Sequence, residues 1–94
     1  MPERRLVLPP EAANVLRSLP PDAKRKVRAA LDELRRDPAI GEALERELTG
    51  MHRLRVGRLR VVYRPGRGSV EIVAIGPRSV IYEALERAAR SEQQ

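Results

Sequence analysis

Seven arginines fall between residues 51 and 78 against a single acid, Glu71, so that this stretch carries the whole net charge of +6. Their spacing is as informative as their number. Arg53 and Arg55 alternate with His52, Leu54 and Val56, and Arg60 and Arg64 alternate with Leu59, Val61 and Tyr63. Period-two alternation reads as half-buried strands, with the arginines sharing the wet face. A wet face needs polar residues of some kind, and alternation alone would be met by a mixture of charges. Here Gly57-Arg58 suits a two-residue turn, which sets Arg55 directly opposite Arg60, a destabilising like-charge pair. Arg78, just past the last apolar run, is placed to close the same cluster. Guanidiniums gathered in this way make a bidentate clamp for phosphate. The implied ligand is an anion, and nucleic acid is the anion most available to a small basic protein.

The other groups with chemical potential are few. His52 is the one imidazole, a side-chain type that titrates near neutrality, but its parity puts it with Leu54 and Val56 on the apolar face. Glu45 and Glu47 are carboxylates in a loop, where solvated charge is the ordinary role. Tyr82 can either pack as core beside Leu85 or face the arginines. With no Cys and one His, thiolate chemistry, disulfides and a His/Cys metal site are ruled out, and no metal or cofactor is expected. No apolar run approaches the ~20 residues of a spanning helix, and Met1 to Leu8 lacks a signal-peptide core. A cytoplasmic protein with no membrane contact is expected.

The elements that must hold these residues fit one small domain over 1–94. Arg4 to Leu8 reads as a short strand, stopped by Pro9-Pro10. Ala12, Val15, Leu16 and Leu19 recur with helical spacing, Pro20-Pro21-Asp22 breaks the pattern, and Ala23, Val27, Ala30, Leu31 and Leu34 resume it. The short link makes these two helices antiparallel. Pro38 ends the second by forcing Asp37 out of helical conformation, and residues 39–50 read as a loop or frayed turn. The first hairpin pairs Val56 with Leu59 and His52 with Tyr63. Pro65-Gly66-Arg67-Gly68 is read as a four-residue loop, which sets Glu71 beside Val62 and Val73 beside Arg60. One sheet face is then Leu54, Val56, Leu59, Val61, Tyr63, Val70, Ile72 and Ala74, for the helices to cover. The other carries Arg53, Arg55, Arg60, Arg64 and Glu71. Ser79 caps a last helix with an apolar stripe of Ile81, Leu85, Ala88 and Ala89. The expected fold is α+β, with two N-terminal antiparallel helices packed on a mainly antiparallel sheet in the order β-α-α-β-β-β-α.

The runs Leu48-Thr49-Gly50, Arg53-Leu54-Arg55-Val56-Gly57, Arg60-Val61-Val62-Tyr63 and Ile75-Gly76-Pro77-Arg78-Ser79-Val80-Ile81-Tyr82 together resemble the RelE/ParE toxin superfamily, in its RelE-like branch. The resemblance covers nearly the whole chain. It implies the toxin of a type II toxin–antitoxin pair, held inactive by a small antitoxin, which must be acidic to mask a basic surface. The RelE branch is an mRNA interferase that cleaves mRNA on the ribosome without metal. The ParE branch inhibits DNA gyrase without catalysis, and a degenerate, non-toxic RNA-binding homologue is a third possibility. By resemblance, Arg60 holds the scissile phosphate, Arg78 stabilises transition-state charge, and Tyr82 stacks on a base or assists proton transfer. Arg53, Arg55, Arg58 and Arg64 would bind RNA. Arg53 and Arg55 stand where the family's ribonucleases have lysines. Arginine stays protonated and is a poor base, so the general base is unassigned. His52 stands in place of an aromatic, and Pro77 in place of His or Lys.

Overall fold

A computed structural model describes residues 3–92. Strand β1 (Arg5–Val7) leads into helix α1 (Pro10–Ser18) and then helix α2 (Pro21–Arg36). Each helix has a proline in its first turn, where the missing N–H would have had no partner. The helices bury Ala12 and Leu16 from α1, and Val27, Ala30, Leu31 and Leu34 from α2, the stripes expected from their spacing. Asp37 ends α2 with φ −146° and ψ 93°, and its side chain accepts a hydrogen bond from the Ala39 N–H at 3.0 Å.

Residues 38–51 are more ordered than a loop. A 3₁₀ turn at Pro38–Ile40 is followed by the two-residue strand β2 (Glu42–Ala43) and a second 3₁₀ turn at Arg46–Leu48. Strands β3 (His52–Val56), β4 (Leu59–Gly66) and β5 (Ser69–Gly76) precede helix α3 (Arg78–Glu92), which begins one residue before the Ser79 cap expected from sequence. The sheet order is β1-β5-β4-β3-β2. Only the β1–β5 pairing is parallel. The fold is the expected α+β arrangement, with β2 added at one edge.

The β3–β4 register is as expected, from His52 opposite Tyr63 to Val56 opposite Leu59, with Arg55 facing Arg60. Gly57 has φ +61° in the turn, a conformation that costs glycine nothing. The β4–β5 hairpin differs. Its turn is only Arg67-Gly68, Gly66 pairs with Ser69, and Glu71 lies opposite Arg64 instead of Val62. Pro65 is tolerated inside β4 because β3 has already ended at His52, opposite Tyr63. Past that point one side of β4 is a free edge and needs no N–H donor. A β-bulge then places Gly76, not Val73, opposite Arg60.

The bulge changes which residues share a face. Val73 and Ala74 both pack with Val62, and Ile75 takes the place expected for Ala74 beneath α1 and α2. The first core thus joins the two helices to Val61, Tyr63, Val70, Ile72 and Ile75. A second core lies on the opposite face, where Ile81 and Leu85 of α3 cover Met51 and Val62. The third helix therefore sits on the arginine side of the sheet, and this is what brings Tyr82 to the arginines.

Candidate functional site

Arg53 and Arg55 project from β3 and Arg60 from the facing position on β4, while Arg78 and Tyr82 occupy the first turns of α3. Burial of Ile81 and Leu85 fixes the rotation of α3, so Arg78 and Tyr82, one turn apart, share its exposed flank. Tyr82 is 50% exposed, which settles its role as a surface group instead of core. Arg78 donates to the Tyr82 hydroxyl from Nε at 3.3 Å and Nη2 at 3.0 Å, and its guanidinium carbon lies 5.4 Å from the ring centroid. The same cation thus binds the oxygen and lies against the π-face. Arg78 holds the Tyr82 hydroxyl below the ordinary tyrosine range, with smaller contributions from the charges of Arg53 and Arg60. Three guanidiniums from two strands and a helix therefore act on one phenol.

The face also carries a carboxylate that sequence reasoning missed. Glu42 of β2 pairs across the strand with Arg53, and its Oε2 accepts a hydrogen bond from Arg53 Nη2 at 2.8 Å. That bond and the Arg53 charge, with help from Arg55, hold the Glu42 carboxyl below its ordinary value. Nothing in the local sequence separates Glu42 from Glu45 and Glu47, because the two-residue strand that selects it has no periodicity. Glu45 and Glu47 are exposed around the second 3₁₀ turn.

The remaining sequence candidates lie elsewhere. Arg64 is on the arginine face but four residues along β4 from Arg60, about 13 Å at strand rise, and it pairs with Glu71 at 3.4 Å. Arg58, in the β3–β4 turn, lines an apolar groove with Leu19, Ala23, Val56 and Leu59 at the corner between α1 and α2. Neither joins Tyr82. His52 lies on the opposite face, stacked on Tyr63 with centroids 5.3 Å apart, its Nδ1 buried without a partner. It is a packing residue, as its parity implied. Among the described residues no three His, Asp or Glu side chains gather as a metal site, and no helix is long and apolar enough to cross a membrane.

Residues 7–82 match the family model described as the ParE toxin of the type II toxin–antitoxin system parDE. The chain belongs to this family of toxins, within the RelE/ParE superfamily. Among solved structures it is similar to the RelBE2 toxin–antitoxin complex of Mycobacterium tuberculosis, at 30% identity and TM-score 0.72, covering 82% of this chain and 100% of that one. A mutant of the E. coli toxin RelE in its free state is 22% identical with TM-score 0.71, over 92% of this chain and 98% of that one. The YoeB dimer of Staphylococcus aureus is 21% identical with TM-score 0.68, over 80% and 97%. These last two share the fold. No curated protein sequence gives a significant match.

Proposed function

We propose that this toxin is an endoribonuclease that cleaves mRNA on the ribosome and so inhibits translation. The observation that carries the reading is the Arg78 guanidinium bound to the Tyr82 hydroxyl at 3.0 Å, with Arg53 and Arg60 close enough for their charges to act on the same phenol. In the reaction a ribose 2′-oxygen attacks the adjacent phosphorus, the bond from phosphorus to the 5′-oxygen breaks, and the products end in a 2′,3′-cyclic phosphate and a 5′-hydroxyl. Arg60 and Arg78 stabilise the charge of the phosphorane-like transition state, and Arg53 and Arg55 orient the backbone. Preorganised charge of this kind is often the largest catalytic term. Glu42, kept ionised beside Arg53, is the carboxylate we assign to receive the 2′-hydroxyl proton. Tyr82, acidified by Arg78, supplies the proton for the leaving 5′-oxygen. The chain works as one toxin domain in the cytoplasm, with no cofactor. An acidic antitoxin masks the arginine face. The RelBE2 structure, itself a toxin–antitoxin complex, supports an antitoxin as partner.

End-group analysis of mRNA cleaved in the presence of purified ribosomes tests the reading. It predicts 2′,3′-cyclic phosphate and 5′-hydroxyl ends, and 3′-hydroxyl products or intact mRNA would refute it. The matched family model is that of a ParE toxin, and arginine replaces the expected lysines, which favours a second reading as a non-enzymatic inhibitor of DNA gyrase. A supercoiling assay separates the two, since only the second predicts inhibition without any RNA present.

A further inference from the structure

Tyr63 closes the Arg60-Val61-Val62-Tyr63 run, yet it lies on the face away from the arginines and the reaction makes no use of it. Its side chain is among the largest fully buried groups in the protein. A buried phenol needs partners, and both of those it finds lie just ahead of Glu42. The hydroxyl donates to the Pro38 carbonyl oxygen at 2.7 Å and accepts from the Gly41 N–H at 3.0 Å. Among the described residues no other side-chain hydrogen bond joins the 38–41 segment to the sheet. Gly41 is shaped to this contact, because a Cβ there would run into the Tyr63 hydroxyl and come 2.9 Å from the Arg53 carbonyl oxygen. The ring meanwhile stacks on His52, which neighbours Arg53 and pairs across the strand with Ala43.

The next residue is Glu42, on a strand only two residues long, whose far end is held by the Leu44 N–H on the Met51 carbonyl oxygen at 2.9 Å and whose near end is the one Tyr63 holds. The geometry points to Tyr63 as the positioning residue for the proton-accepting carboxylate: through Pro38 and Gly41 it fixes where β2 begins, and so where Glu42 meets Arg53. This inference rests on the assignment of Glu42 above. Misplacing a reacting group by about 1 Å can cost ~10² in rate, so a hydroxyl on the far side of the sheet can govern chemistry it never touches.

Tyr63→Phe keeps the ring and removes both hydrogen bonds. The first readout needs no activity. Carbon NMR of the glutamate carboxyls should find Glu42 titrating below the ordinary glutamate range in the wild type, because of its bond to Arg53, and should find its midpoint raised in Tyr63→Phe. An unchanged midpoint overturns the positioning role. The second readout is single-turnover cleavage of a short defined mRNA on purified ribosomes. Tyr63→Phe lowers the maximal rate about ten-fold or more and leaves the half-saturating toxin concentration within about two-fold. Added to Glu42→Gln it costs less than about two-fold, because the group it positions is already gone. An equal loss in both backgrounds, or the same loss in a core variant such as Val27→Ala, means general destabilisation and overturns the inference. If Glu42→Gln alone cleaves at full rate, the assignment of the carboxylate fails. The NMR titration still decides whether Tyr63 places it.

Discussion

Replacing Arg60 by alanine separates function from stability because the two effects are expected to differ in size and even in sign. Arg60 faces Arg55 across the hairpin, where Cβ atoms are about 4.5–5.5 Å apart. With the cationic heads ~6 Å apart, the repulsion is about 0.7 kcal/mol in water and about 3 kcal/mol at an effective dielectric of 20. Exposure and physiological salt hold it near the lower figure. Against that relief stands the loss of a partly buried aliphatic stem, worth about 1 kcal/mol. The folded state of Arg60→Ala should thus lie within about 1 kcal/mol of wild type in urea denaturation. Cleavage should respond quite differently. Loss of a preorganised donor to the transferring phosphate costs about 2–4 kcal/mol of transition-state stabilisation, or about 10²–10³ in single-turnover rate. Arg60→Lys should fall between, since it keeps the charge but loses the bidentate fork. A variant that cleaves within three-fold of wild type would refute the catalytic role. One destabilised by more than about 2 kcal/mol would make Arg60 a structural residue.

Three further outcomes follow from the same contacts. The protein has two tyrosines and no tryptophan, so an ultraviolet titration should resolve two steps. Tyr82 ionises below 10 because Arg78 stabilises the phenolate, and Tyr63 ionises above 10 because burial opposes it. The Tyr63 share of stability is accordingly full below pH 10 and lost as pH rises through its raised value, so the second step should coincide with loss of circular dichroism. Arg78→Ala should move only the first step, upwards, and a single step at 10 would contradict both environments. Gly41→Ala should destabilise by about 1–3 kcal/mol in thermal or urea melts, through overlap with Tyr63 and the Arg53 carbonyl. A neutral result would show that the 38–41 segment is loose. Ile81→Ala should cost about 2–5 kcal/mol, since Ile81 is 2% exposed in the second core; a smaller loss in the same melts would mean that α3 is only lightly docked.

What the sequence made legible was what periodicity encodes. The α1–α2 hairpin and the β3–β4 register could be read because one face of each element is apolar and the other charged. In β5 that contrast vanishes. Val70, Ile72, Val73, Ala74 and Ile75 offer apolar side chains at both parities, so a bulge at Val73 leaves no mark on the pattern although it reverses the faces beyond it. Pro65-Gly66 misled for a related reason. The pair reads as a turn by residue preference, and only the early end of β3 frees Pro65 to lie within a strand. The shared face of Arg53, Arg55 and Arg60 was legible; Tyr82 stayed open between core and surface until the docking side of α3 decided it, and Glu42 was not legible. Its selection over Glu45 and Glu47 depends on β2, which pairs with β3 and begins where Tyr63 and Gly41 hold the chain ahead of it.

The distribution of charge along the face follows from this arrangement. Glu42 at the β2 edge pairs with Arg53, and Glu71 at the far end pairs with Arg64. Arg55 and Arg60 stand in the row beyond Arg53, at the opposite end of β4 from Arg64, and neither they nor Arg78 makes an ion pair within 4 Å among the described residues. A face built only for solubility would distribute its acids so that neighbouring like charges are relieved. Here the acids stand beside Arg53 and Arg64, and the repulsion is left at the Arg55–Arg60 end of the face. The second core tolerates that repulsion. Ile81 and Leu85 press α3 onto Met51 and Val62 and hold Arg78 near two cations that repel it. Docking of α3 is thus maintained by apolar burial against like-charge repulsion, and on the proposed function it is the RNA phosphate that would neutralise it.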